Sequence, residues 1–195
     1  MAATRERLFL LDGNSLLNRA YFALPPLSTR TGQPTNAVYG FILMLTRLLE
    51  DEQPDAVGVA FDKSAPTFRH EAYQEYKAHR PRMDDELRSQ LPLVKAVLEA
   101  HRIPVFELEG YEADDVIGTL AQRAAKEGME VVIVTGDKDA LQLVSDRVTV
   151  MLVRKGIKEM ERFDRQAILD RWGITPAQIA DLKGLMGDPS DNIPG

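Results

Sequence analysis

The 195 residues include no cysteine. Disulfides, thiol catalysis and thiolate-bound zinc are therefore excluded, and a reducing cytoplasm is the natural compartment. Histidine is scarce too: His70, His79 and His101 lack a metal-site spacing, and none falls in the acidic stretches that mark this chain. No apolar run is long enough for a membrane span or a signal peptide, since Leu8 to Leu11 is strand-length and stops at Asp12. Neither a P-loop nor the glycine pattern of a dinucleotide fold occurs. Ser15 follows the first strand in a turn, but no histidine near a strand end could serve as its base, which argues against a serine hydrolase. Repeats and low-complexity tracts are missing as well. One further gap is local: between Asp62 and Glu86 there is no Ile, Leu or Val. That stretch can bury little, so it is expected to project from the body.

What the chain has in quantity is charge, on a background that is 44% hydrophobic and adequate for one domain with a proper core. The 30 acids outnumber the 24 Lys and Arg, a net charge of −6 that at first argues against a nucleic-acid partner. The acids are unevenly placed, however. Setting aside Asp12, Glu112, Asp114, Asp115, Asp137, Asp139, Asp188 and Asp191 as metal ligands turns the balance to +2, and bound divalent ions would make such a site attract phosphate.

The densest stretch runs from Gly110 to Asp139. Ala113, Val116, Ile117, Leu120, Ala121 and Ala124 share one helical face, which puts Glu112, Asp114 and Asp115 on the first turn of a helix. Val131 to Val134 reads as a buried strand, followed at once by Asp137 and Asp139. Acids in a first turn also favour the helix dipole, and Asp is common in turns. Five carboxylates at the ends of adjacent elements nevertheless suit a hard cation, Mg²⁺ or Mn²⁺.

The same device recurs. The strand ending at Leu11 is followed by Asp12, and the strand Ala56 to Phe61 by Asp62. Open α/β sheets place their sites at such strand ends. Asn36 is a plausible cap for a helix through about Leu49, and a helix from Asp84 to His101 leads into a third strand, Ile103 to Leu108. Val148 to Val153 reads as a strand, Lys155-Gly156 as a turn, and Ile157 to Met160 as a weak strand. Asp164 caps a helix stopped at Gly173. Thr175 and Pro176 open another helix as N-cap and first residue, and Asp188 and Asp191 follow it. Arg69, Tyr73, Tyr76, Lys77 and Arg80 would share one face if their segment is helical. A solvated charged helix explains that face, and so does a nucleic-acid surface on which cations track phosphates and rings stack on bases. Arg19 and Tyr21 are as consistent with a surface cation and a core aromatic as with a DNA contact. Acids after four strands beside a cationic, aromatic segment form the set of parts needed for two-metal phosphodiester hydrolysis.

Six ordered motifs then stand out: Phe-Leu-Leu-Asp12-Gly-Asn, Val-Ala-Phe-Asp62, Tyr76-Lys77-Ala-His-Arg80, Gly-Tyr-Glu112-Ala-Asp114-Asp115, Thr-Gly-Asp137-Lys-Asp139 and Gly-Asp188-Pro-Ser-Asp191-Asn-Ile-Pro-Gly. Together they make a sequence that resembles the 5′ nuclease family of bacterial DNA polymerase I, which belongs with the flap endonucleases. The resemblance implies an α/β, PIN-like (resolvase-like) fold with a central mostly parallel sheet flanked by helices and a projecting helical arch at about residues 63–83. It implies a 5′-3′ exonuclease and 5′-flap endonuclease with two Mg²⁺ or Mn²⁺, acting in primer removal and repair. Asp12, Asp62, Glu112 and Asp114 would hold one ion and Asp137, Asp139 and Asp188 the other, with Asp115 and Asp191 nearby through water. Lys77 and Arg80 would face the scissile phosphate, and Arg19, Tyr21, Arg69, Tyr73 and Tyr76 would join them in binding DNA.

Implied partners are DNA with a 5′ flap, nick or 5′ end and a C-terminal polymerase domain, for a monomer in the bacterial cytoplasm at the nucleoid. The nuclease body is expected over residues 1–174, with 175–195 opening a truncated helix-hairpin DNA-binding region. Many relatives carry an aromatic where this chain has Asn18. A Toprim-type primase or strand-transfer domain and a noncatalytic DNA-junction binder stay open, although a Toprim domain would not require Asp12, Asp62 or the basic arch.

Overall fold

Short runs of β-branched and aromatic residues build a central sheet, which the computed structural model describes within residues 6–154, 156 and 159–195. The strands are β1 (Arg7–Asp12), β2 (Ala56–Ala60), β3 (Val105–Phe106), β4 (Glu130–Thr135), β5 (Val148–Val153) and β6 (Met160–Phe163). Their order is β3-β2-β1-β4-β5-β6, parallel throughout except for the antiparallel β5–β6 pair. β1 pairs with β2 on one side and β4 on the other, with Leu11 opposite both Val59 and Val134. Asp12, Asp62 and Asp137 thus leave neighbouring strand ends where the winding direction reverses.

Both faces of the sheet are covered, as parallel sheets require. On one, Phe9, Leu11, Val59, Phe61, Val132 and Val134 pack under α1 (Gly13–Ala23), α2 (Asn36–Glu52) and α4 (Asp85–Ala100). On the other, Leu10, Ala60, Val131, Ile133, Val150 and Leu152 meet α5 (Ala113–Lys126) and Ile168 of α6 (Arg165–Trp172). Residue-by-residue alternation in β1 divides the two cores.

Several boundaries differ from expectation for identifiable reasons. Ser15, Arg19 and Tyr21 lie in α1 rather than a turn or connecting segment, because the Asp12 carboxylate accepts from Ser15 N at 3.0 Å and starts a helix at once. Thr35, not Asn36, is the N-cap of α2, and Asn36 bonds Tyr21 O and Gln90 instead. α7 (Gln178–Met186) starts after Thr175 and Pro176, since Gln178 Oε1 accepts from both Thr175 N and Oγ1. β3 is only two residues long, and the expected strand from Ile157 becomes Met160–Phe163, with Lys155, Ile157 and Lys158 outside the described residues. The Asp164 cap and the left-handed Gly173 stop form as expected, while Asp84 turns out to be the N-cap of α4, accepting from Glu86 N.

The largest difference is the arch. Only α3 (Phe68–Ala72) is helical there, and residues 73–80 follow in turns, so Arg69 to Arg80 do not share one helical face. Nor does the segment project: it folds back over the strand ends, with Tyr76 buried. Ion pairs and hydrogen bonds to distant acids hold it in place of the missing aliphatic contacts.

Candidate metal centre

Each acid is placed by the element that precedes or begins at it. Asp12 is buried at the end of β1, accepting from Ser15 N and, at 2.7 Å, from the Thr135 hydroxyl. Burial pushes its carboxyl up to about 6 against those two bonds, and Asp62 and Asp137 push the same way. Asp62, just past β2, accepts from Ala113 N at 2.7 Å and so tethers the first turn of α5. Glu112 caps α5, and its own N–H donates to Asp115 Oδ2 at 3.0 Å. Asp137 Oδ1 accepts from Asp139 N at 2.9 Å and opens the 3₁₀ turn Lys138–Leu143.

Asp114 is where these charges meet. It opens onto a cavity of about 880 Å³ whose wall includes Asp12, Asp62, Glu112, Asp115, Asp137, Asp139 and Asp191. The surrounding protein, followed by the repulsion of Asp12, Asp137, Asp62 and Glu112, drives its carboxyl up to about 8. No ion pair falls on Asp12, Asp62, Asp114 or Asp137 among the described residues. Oxygen donors that repel one another this strongly fit a hard divalent cation. Among the described residues no three of them already converge as a finished cage.

The remaining acids are paired. Arg69 makes a two-pronged pair with Asp115 at 2.7 and 2.8 Å, and Lys77 Nζ reaches Glu112 Oε1 at 2.8 Å. The Tyr76 hydroxyl donates to Asp191 at 3.1 Å and to Glu112 at 3.3 Å; burial, then those two acids, raise its pKa. Arg80 binds Asp191 Oδ1 at 2.6 Å and Ser190 O at 3.1 Å. Lys77 N and Tyr73 Oη add bonds to Asp191 O and Asn192 O. Lys77 and Asn192, on opposite sides of this seam, both have left-handed backbone, φ 56° and 61°.

Asp139 and Asp188 share Lys183 of α7. Its ammonium lies 2.7 Å from Asp139 Oδ1 and 2.8 Å from Asp188 Oδ2. Asp139 Oδ1 is buried and takes no directed hydrogen bond among the described residues. Burial works against ionisation of Asp188, but Lys183 and the Ser190 N–H and hydroxyl hold its carboxyl down to about 2.

Of the residues expected to meet DNA, Arg69, Tyr76, Lys77 and Arg80 line the cavity. Arg19 lines a neighbouring groove with Asn18 and Phe22, its guanidinium on Arg154 O at 2.7 Å. Tyr21 and Tyr73 are the exceptions and line neither cavity: Tyr21 packs against the core, and Tyr73 is exposed. Three residues that the sequence reading passed over matter here. Thr135 joins two acids, donating to Asp12 and accepting from Asp137 N at 3.0 Å; Asn14 accepts from Asp62 N; and Lys183 bridges Asp139 and Asp188. Position directly before Gly-Asp-Lys-Asp was the available signal for Thr135; a single lysine in a helix offered none.

Comparison with known proteins adds three findings. Residues 7–173 match the model of the 5′-3′ exonuclease N-terminal, resolvase-like domain. The chain is 53% identical to DNA polymerase I of Bacillus caldotenax, over 98% of this chain and 22% of the relative. It is likewise 53% identical to that of Mycobacterium leprae, over 98% and 21%, and thus spans about a fifth of these relatives. Among solved structures, bacteriophage T5 5′-exonuclease with zinc ions bound superposes with a TM-score of 0.74 at 22% identity, covering 97% of this chain and 70% of that one. Human GEN1 in complex with Holliday junction DNA superposes at 0.58 and 14% identity, covering 96% and 47%.

Proposed function

We infer the function from one premise: this chain belongs to the family of 5′-3′ exonuclease N-terminal, resolvase-like domains. It is a nuclease domain, and our reading is that it hydrolyses DNA phosphodiesters at a 5′ end, nick or 5′ flap in a divalent-metal-dependent reaction. The observation that carries this is Asp114, pressed by four other carboxylates at the mouth of the cavity. Asp12 and Asp62, which a Toprim-type domain would not require, are among the four. The structure of the T5 relative, which holds divalent ions, supports the same chemistry.

Asp12, Asp62, Glu112 and Asp114 would hold a divalent ion, with Asp137 beside them. Such an ion supplies an activated water and charge for the leaving oxygen. Thr135 and Ser15 orient Asp12, Ala113 N orients Asp62, and the Glu112–Asp115 cap fixes the first turn of α5 on which Asp114 stands. Lys77 and Arg80 would leave Glu112 and Asp191 to hold the scissile phosphate, a better partner for them once ions neutralise the acids. Arg69, Tyr73 and Tyr76 would follow the strand, with Arg19 in the adjoining groove. We keep residues 1–174 as the nuclease body and 175–195 as part of a DNA-binding region, supported by the end of the family match at residue 173. The polymerase relatives make a C-terminal polymerase domain the expected companion, in a monomer working at the bacterial nucleoid.

The test is Mn²⁺-dependent cleavage of a labelled 5′-flap substrate. Products should appear with the wild type, and neither Asp114→Asn nor excess chelator should permit them. Cleavage that persists in chelator would overturn the reading.

A further inference from the structure

We propose that Lys183 is a tethered cation standing where a second divalent ion would sit between Asp139 and Asp188, so that a second ion enters only after the lysine withdraws. This rests on the reading of the acid cluster as a metal site and says which half of that cluster is open.

The geometry separates the two halves. In the first half Asp12, Asp62, Asp114 and Asp137 carry no ion pair among the described residues and Glu112 alone is paired, with Lys77 and Arg69, whereas both Asp139 and Asp188 grip one ammonium at 2.7 and 2.8 Å. An Mg²⁺ bound to the same oxygens would lie at about 2.0–2.1 Å from them. An ammonium and a divalent ion cannot both fit there. The carboxylates are also held ready for the lysine. Ser190 N and Oγ occupy Asp188 Oδ1 at 2.9 and 2.7 Å, which turns Oδ2 toward Lys183. The turn behind them is closed by Asp188 N to Ile193 O at 2.8 Å and Ile193 N to Asp188 O at 2.9 Å. Gly187, with φ 73°, makes that reversal possible, because a Cβ there would lie 2.4 Å from Gly195 N.

Lys183 is anchored by its helix, and only a flexible four-carbon stem connects that anchor to an ammonium that is compact and strongly hydrated once released. Its side chain is 41% exposed, so a route to solvent is open. Neutralising one of two negative charges in advance lowers the pull of this pair on a divalent ion without touching the Asp114 half. The consequence is stepwise loading.

The experiment measures Mn²⁺ binding to the whole 195-residue chain without DNA, following free Mn²⁺ by electron paramagnetic resonance. The wild type should bind one ion tightly and a second at least about tenfold more weakly. Lys183→Gln should strengthen the second step at least about tenfold and leave the first unchanged, while Lys183→Arg should keep the second weak. Two equally tight ions in the wild type, or a second step that Lys183→Gln leaves unchanged or weaker, would overturn the proposal.

Should Lys183→Gln lose its fold by circular dichroism, the wild-type lysine ammonium ¹⁵N resonance decides the matter during an Mg²⁺ titration. It should stay fixed through the first equivalent and move during the second. Movement with the first, or none when both are bound, refutes the lysine's role. Absence of any bound Mn²⁺ in the wild type would overturn the metal reading itself, and the proposal with it.

Discussion

A carboxyl group that four others repel gains more from a cation than from any protein neighbour, and Asp114 is that group. An ordinary Asp releases its proton near pH 3.8, whereas Asp114 in the fold keeps it to about 8. The folded chain binds more protons than the unfolded one in that window, so in chelator its stability should fall as pH rises through it. Asp114→Asn should remove most of this slope. In chelator at pH 8 it should melt about 2–4 °C above the wild type, a modest gain because solvent in the cavity screens part of the repulsion. At pH 5 the two proteins should nearly coincide, and a mutant that melts lower at pH 8 would contradict the account. Thr135→Val tests the bond that joins two acids. Losing a fully buried hydroxyl with two partners should cost about 1–3 kcal/mol by urea unfolding, since Asp12 Oδ2 and Asp137 N lose their mate. At this scale the acids were legible because they border apolar runs, Asp12, Asp62 and Asp137 after strands and Glu112, Asp114 and Asp115 at the start of a helix. Lys183 was not, and Thr135 was only through its place before Gly-Asp-Lys-Asp, because one hydroxyl or one ammonium forms no periodic pattern and acquires its role from what the fold places beside it.

Among the elements, the segment from Phe68 to Arg80 depends little on apolar burial, since α3 buries no residue and Tyr76 is the one buried side chain of the segment. α3 is five residues long, too short to be stable alone, and its attachment runs through Arg69, Tyr76, Lys77 and Arg80. Such contacts weaken in salt. Trypsin should therefore cut at Lys77 slowly in low salt and several-fold faster in about 1 M salt. Tyr76→Ala should give the fast pattern already at low salt, and equal rates across these conditions would show that something else fastens the segment. The lack of aliphatics between Asp62 and Glu86 correctly set this stretch apart. It could not reveal the docking, because the partners Glu112 and Asp191 lie 35 and 115 residues away from Lys77 and Tyr76. The strands β1, β2, β4 and β5 were easier, since short apolar runs mark them and, for β1, β2 and β4, an Asp at or just beyond the end marks the boundary. Helix starts were harder wherever a side chain, such as Asp12 or Gln178, chose between turn and helix.

The whole molecule is organised by the strand order that sets β1 between β2 and β4. Gly13 shows how closely the parts must approach there, for a Cβ would lie 2.4 Å from the Phe61 ring. Gly13→Ala should cost about 1–3 kcal/mol by denaturant unfolding and also weaken divalent-ion binding, because Phe61, which must shift, adjoins Asp62, and Gly13 itself adjoins Asp12. Unchanged ion affinity in a destabilised variant would separate packing from the site. The same strand order has a consequence for a cell that makes this chain on a ribosome. Asp12, Asp62, Asp114 and Asp137 come from separate stations along the sequence and meet only when the sheet has closed. A half-synthesised chain holds only Asp12 and Asp62, and a piece cut between β1 and β2 leaves Asp12 behind, so neither contains the assembled acid centre. On the proposed function, a nuclease assembled in this way would stay harmless until its sheet has closed and would become so again once the sheet is broken.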